Sequence, residues 1–351
     1  MSLCAAPEPV LAGLYRCSLG SGGQPVKWGV TSNIAKNSSG SHSTRILLCF
    51  ASVYLFWGAT YLAMRVGVEV LPPFVLASTR FLISGPLMLL YCVLRGISIR
   101  PTRREWGLLA AIGVLMLGIG NTSIIWVEQY LPIGLEALLV AAVPLYAAVI
   151  EFFLPHGEGL SKRGWTGIGI GLAGLLLLVW PGFREGLHGN HVHLIAAVVS
   201  LIATFCWTSG SVLSRHAKLK MSAIAASGWQ MVFAGVLNFV IMVNTGGYHG
   251  SHWGMKAWLS IVYLVVFGSI VGYTAYLYLL DNVAVAKVAT YAYINPMIAV
   301  LLGALFLNER LARVEYVGMA AILIAVFLVT SSKMSSGRPA AEVELEPVEQ
   351  S

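Results

Sequence analysis

Apolar residues run through this chain in long blocks, and short polar links separate them. Ten runs begin near Ile46, Phe74, Trp106, Ile133, Trp165, Leu194, Ala223, Ala257, Val283 and Val314. Each approaches the ~20 residues that a helix needs to cross the hydrocarbon core of a bilayer. The alternating pattern of barrel strands is absent. Lipid offers no partner to an open backbone group, so every run predicts an α-helix. The expected fold is an all-α membrane protein of ten transmembrane helices.

The pattern repeats. "FWGATYLAMR" holds Trp57 and Arg65, and "FCWTSGSVLSR" holds Trp207 and Arg215 at the same separation. The two pairs are offset by 150 positions, Pro144 and Pro296 by 152, and both Glu158/Glu309 and Gly167/Gly318 by 151. A nearly constant offset over five features points to an internal duplication. Each copy has five helices, an odd number, so the second enters the membrane from the opposite side. This is the inverted-repeat layout of many transporters, with the substrate site near the midplane between the halves. The expected organisation is a disordered N-terminal extension over 1–44, a first repeat over 45–183, a second over 192–331 and a disordered acidic tail over 332–351.

Composition agrees and narrows the class. The chain is 57% hydrophobic and 11% charged, against roughly 25% charged in a soluble domain; its mean hydropathy is +0.78. With the N-terminus inside, 15 of the 22 Lys and Arg fall in cytoplasmic segments and 5 in outer links, leaving Arg80 and Lys287 within helices. This distribution places both termini of a multi-pass protein in the cytoplasm. Orientation and anionic lipid account for the net charge of +7, so no nucleic-acid partner is implied. The five cysteines show neither pairing nor metal spacing, and the loop histidines (His188, His191 and His193; His249 and His252) read as solvated. No metal or cofactor is expected. Asp281 is the one aspartate; no HExxH, acidic cluster or GxxxxGK[ST] loop occurs. An intramembrane enzyme and direct ATP drive are therefore disfavoured.

Helix faces supply the candidate chemistry. Residues three and four apart share a face. Tyr54, Trp57, Gly58, Tyr61 and Arg65 form one stripe in the first run. Ser200, Thr204, Trp207, Thr208, Ser211 and Arg215 form another in the sixth. Such stripes point away from lipid, either as interhelical glue or as facing walls of a wet cavity. In the ninth run Lys287, Tyr291 and Asn295 recur every fourth residue. Pro296 follows as a helix-shaping residue matched by Pro144 in the fourth run. Asn295 with a freed carbonyl is either a ligand contact or part of a shape device. Three charges stand inside runs: Arg80, which snorkels outward or pairs inside; Glu136; and Lys287, which snorkels to the inner headgroups or loads an anionic or zwitterionic solute. Glu136 and Lys287 fall near opposite faces, which argues against a direct pair. Gly167 and Gly171 have the GxxxG spacing of close helix packing, within the bundle or across a dimer.

"YLFWGATYLAMRVGVEVLPPFVLASTRF" (54–81), "GSIVGYTAYLYLL" (268–280) and "ATYAYINPMIAVLLGALFLNER" (289–310) resemble the EamA family of the drug/metabolite transporter superfamily, and within it the YedA-like branch. The likeness covers roughly 45–331. It implies ten helices, cytoplasmic termini and export of small metabolites, amino-acid-like solutes or drugs by alternating access. It also implies a cavity lined by helices 1, 3, 4, 6, 8 and 9, and it gives Arg80 a structural role. Asn121, Tyr273 and Tyr276 lie on those helices and join Trp57, Tyr61, Trp207, Ser211, Lys287, Tyr291 and Asn295 as cavity-lining candidates. Glu136 and Lys287 depart from the family's apolar residues at these places. The expected protein is a secondary transporter, monomeric or weakly dimeric, with a small-molecule substrate; an uncoupled pore is the alternative.

Overall fold

The computed structural model describes residues 33–154, 162–187, 191–283, 285–310 and 312–336. Every regular element among them is helical. The chain divides into a short unit, Met1–Ser43, and a body, Thr44–Ser351. The helices are α1 (Asn33–Val68), α2 (Pro73–Leu94), α3 (Arg103–Val127), α4 (Ile133–Phe153), α5 (Lys162–Leu187), α6 (Val192–Ala217), α7 (Ala223–Asn244) and α8 (Met255–Asn282). Two pieces, Val285–Val288 and Tyr291–Phe306, make up α9, and α10 is Arg313–Ser336. Among the described residues eight helices are long and apolar enough to span a bilayer, and the apolar part of α9 is shorter, Ile294–Phe306. α1 begins at Asn33 and α10 continues to Ser336. Helix therefore extends into both segments expected to be disordered, because a formed helix propagates at little cost beyond its apolar core. The rest of the two tails, and Glu158 and His188, lie outside the described residues.

The duplication is visible in the packing. α2 packs most extensively on α7, its counterpart 150 positions on, and α5 on α10 in the same way; α4 meets α9. A seam of equivalents pairing with equivalents is what a pseudo-twofold axis between the halves produces. Gly171 of the GxxxG pair faces inward: a Cβ there would lie 2.4 Å from Leu145 and 3.1 Å from Ala325. On the outer surface Leu55, Leu90, Leu176, Phe239 and Leu301 stand exposed. This suits lipid rather than water.

In each half one helix is interrupted on the N-terminal side of its proline. α4 is interrupted at Ala141–Ala142 and α9 at Ala289–Thr290. Each interruption is a tight turn with i→i+3 bonds: Ala142 N donates to Leu139 O and Ala292 N to Ala289 O, both at 3.1 Å. Proline is tolerated in a first turn, which is where the helix restarting at Val143 places Pro144. Pro296 sits further into its restarted helix.

Candidate substrate site

The halves enclose a cavity of about 60 Å³, lined by α1, α2, α3, α4, α6, α7, α8 and α9. Its aromatic wall is a connected set. The Trp57 and Trp207 rings, equivalent positions of the two repeats, meet edge to face at 5.4 Å. Tyr276 lies 4.9 Å from Trp57 and 5.7 Å from Trp207, and Tyr291 stands edge-on to Trp57 at 5.6 Å. Tyr273 touches Trp207 at 6.1 Å. Each such contact contributes about 0.5–1.5 kcal/mol beyond the area it buries.

Backbone departures on α3 and α8 shape this wall. Both carry a π-helical segment at the cavity, Val114–Asn121 and Leu264–Tyr273. Such segments disturb the regular i→i−4 ladder and commonly mark functional sites. On α8 the Trp57 Nε1–H donates to the Gly268 carbonyl at 3.1 Å. Gly272 lets the indole approach: a Cβ there would stand 2.4 Å from Trp57 Nε1.

Of the ten candidates, Trp57, Tyr61, Asn121, Trp207, Tyr273, Tyr291 and Asn295 line the cavity. Tyr276 and Ser211 do not line the cavity; Tyr276 packs on the tryptophans, and its hydroxyl donates to Ser211 Oγ at 3.0 Å. Lys287 is a correction. It is exposed on the short piece of α9 and does not line the cavity. The turn at Ala289–Thr290 breaks the four-residue register that put it on one stripe with Tyr291 and Asn295. Thr290 bonds the Lys287 carbonyl at 2.6 Å and pairs with Tyr54 of α1, also at 2.6 Å, and these bonds fasten the break. On α6 the hydroxyls of Thr204, Thr208 and Ser211 donate to carbonyls one turn back, at 2.7–2.8 Å. Thr204 and Thr208 thus satisfy themselves within the helix, whereas Ser200, Ser211 and Arg215 also bond to other helices.

The ends of the bundle show the same symmetry. Arg65 donates to the Glu128 carbonyl at the end of α3, and Arg215 to the Leu280 carbonyl near the end of α8. A cation at a helix C-terminus is favourable by about 0.3–1 kcal/mol. Glu309 Oε2 accepts from the Ile133 N–H, at 2.9 Å, at the start of α4. Burial raises the Glu309 carboxyl above the ordinary carboxylate range, while the Ile133 N–H and Arg65 pull the other way.

A model of the EamA-like transporter family matches residues 44–180 and again 194–331. The chain belongs to the EamA-like transporter family. It is therefore an integral-membrane transporter with the family's two-repeat fold. It is 37% identical over 283 residues to the uncharacterized inner membrane transporter YedA of Escherichia coli K12, covering 80% of this chain and 89% of YedA. Its location is the inner membrane, as for YedA. A chloroplastic WAT1-related protein of Arabidopsis thaliana is 28% identical, covering 79% of this chain and 67% of its own length. A probable amino-acid metabolite efflux pump of E. coli K12 is 24% identical, covering 79% and 91%. A crystal structure titled "Crystal structure of protein" superposes with a TM-score of 0.60 at 21% identity, over 82% of this chain and 98% of the other. That likeness speaks for the fold alone.

Within this EamA-family site stands one side chain that the sequence reading left out of the cavity-lining candidates, Arg80. It is 4% exposed and lines the cavity. Its Nε donates to Ser269 Oγ at 2.8 Å and its Nη1 to Asn121 Oδ1 at 3.0 Å. The small residues on its face of α2, Ala77 and Ser84, were the available signal. Glu136 is fully buried, with Oε1 accepting from Ser200 Oγ at 2.9 Å and Oε2 unpartnered among the described residues. It forms no pair with Lys287. Among the described residues no group of three or more His, Cys, Asp or Glu could hold a metal ion.

Proposed function

We propose that the protein is a secondary exporter that moves a small metabolite, amino-acid-like solute or drug by alternating access. One observation carries this reading: a cavity between the repeats whose lining includes the equivalent residues Trp57 and Trp207. Lining drawn from both halves lets a shift of one half against the other expose the cavity to either side in turn. Ten spanning helices with both termini cytoplasmic fit this use. The efflux role in one relative's name supports export, and the cavity's mix of aromatic and polar groups suits a small amphipathic solute.

The test begins with the cargo. Metabolites in the medium of cells with and without the protein are compared untargeted, and the solute that differs is then offered to liposomes holding the purified transporter. Saturable flux with counterflow, in which unlabelled solute inside accelerates entry of labelled solute, is the expected result. Flux linear in concentration and without counterflow means a pore and overturns alternating access.

A further inference from the structure

Arg80 lies about two turns inside α2, enclosed by protein, in the wall of the central cavity. A cation inside a membrane-spanning helix is costly, and membrane proteins usually pair it with an acid or with backbone carbonyls. Here no Asp or Glu among the described residues lies within 4 Å of the guanidinium. Its two hydrogen bonds go to neutral groups, Ser269 Oγ and Asn121 Oδ1. Phe81 sits beside it, 5.0 Å from Cζ to ring centroid, and its Nη2 rests on the bare face of Gly268, where a Cβ would come within 2.8 Å. No described side chain accepts from Nη2. The two held nitrogens fix the plane of the guanidinium, and the free edge is left for an acceptor with two oxygens.

The remaining lining has the complementary character. Asn295 Oδ1 is buried and unpartnered among the described residues. The rings of Trp57, Tyr273 and Tyr291 line the same cavity. We infer that Arg80 is the anion subsite of the transport cavity, and that the solute carries a carboxylate which pairs with it while an apolar body lies against the tryptophans. This rests on the transporter reading and deepens it. The charge that selects an acidic solute then belongs to Arg80 in the cavity, not to Lys287 on the surface. A cavity of about 60 Å³ is smaller than the ~150 Å³ that admits benzene. It takes the acidic head with a short stem, and a larger body requires the walls to part.

The experiment is calorimetric titration of the purified full-length protein in nanodiscs with three acids, each beside its neutral amide: propionate and propionamide, butyrate and butyramide, phenylacetate and phenylacetamide. Propylamine tests the opposite charge. At least one acid is expected to bind, about tenfold or more tighter than its amide, and the amine is expected not to bind. Arg80→Gln should abolish the difference and Arg80→Lys should keep part of it. Equal binding of acid and amide by the wild type overturns the assignment, as does an acid preference that survives Arg80→Gln or the failure of every acid to bind. If Arg80→Gln does not yield a monodisperse protein, the wild-type comparison and Arg80→Lys decide. The two readings fail separately. Counterflow of an exported solute that has no acidic group sinks the Arg80 subsite and leaves transport standing. Acid-over-amide binding with no saturable flux of any solute does the reverse.

Discussion

Gly272 and Gly169 both sit inside transmembrane helices, yet an added methyl should act on them in opposite directions. At Gly272 the new Cβ would stand 2.4 Å from Trp57 Nε1, 2.8 Å from Trp57 Cδ1 and 2.8 Å from the Phe267 carbonyl. The indole must move. It then gives up its bond to the Gly268 carbonyl, about 1 kcal/mol, and part of its contacts with Trp207, Tyr276 and Tyr291. Overpacking typically costs about 1–3 kcal/mol, while Ala in place of Gly returns up to about 1 kcal/mol of helix propensity. The net expectation for Gly272→Ala is a loss of about 1–3 kcal/mol. At Gly169 nothing lies within 4 Å of the added Cβ, so only the propensity gain remains and Gly169→Ala should gain about 0.5–1 kcal/mol. Thermal unfolding of both variants and wild type in one detergent gives the order: Gly169→Ala highest, Gly272→Ala lowest. In liposomes Gly272→Ala should also slow transport, because the displaced indole lines the cavity. If Gly272→Ala unfolds at or above Gly169→Ala, the packing of Trp57 on the π-segment of α8 is wrong.

Lys287→Met should leave counterflow within about twofold of wild type, since Lys287 is exposed and outside the cavity; a loss comparable to that of Arg80→Gln would restore the role that the sequence suggested for it. For Glu136, Gln still accepts from Ser200 and keeps the side chain's volume, whereas Ala leaves a void and an unpaired hydroxyl. Glu136→Gln should therefore unfold at or above the wild-type temperature and Glu136→Ala about 1–3 kcal/mol below it, and the reverse order in a thermal scan would refute the described environment.

Much of the architecture was legible because it rests on quantities a sequence carries directly. Run length and charge placement give spanning helices, and the constant offset between Trp57 and Trp207, or Arg65 and Arg215, gives the repeat. Helix period then brings Trp57, Tyr61, Trp207, Tyr291 and Asn295 to the interior. The same period failed at Lys287 because it assumes an unbroken helix, and a tight turn fastened by Thr290 lies between Lys287 and Tyr291. Pro296 announced a disturbance but not which side of it would yield. Arg80 was left undecided for a different reason. Two turns from a helix end, a long side chain can reach outward or lie inward, and only the position of Ser269, 189 residues further on, decides between them. The π-segments left a fainter trace, paired glycines at 118 and 120 and at 268 and 272, which helix propensity alone does not interpret.

The pairing of α2 with α7, and of α5 with α10, has a consequence for how the chain is made. The first half leaves the ribosome without the surfaces it is built to meet. Arg80 has Asn121 from its own half, but Ser269 follows 189 residues later. At about 5–20 residues per second that is a wait of roughly 10–40 s. Through that interval the inner faces of α2 and α5 have only lipid or the insertion machinery for company. Maturation of the first half is thus conditional on the second, and a truncation after the first repeat should be cleared by quality control rather than persist as a smaller membrane protein.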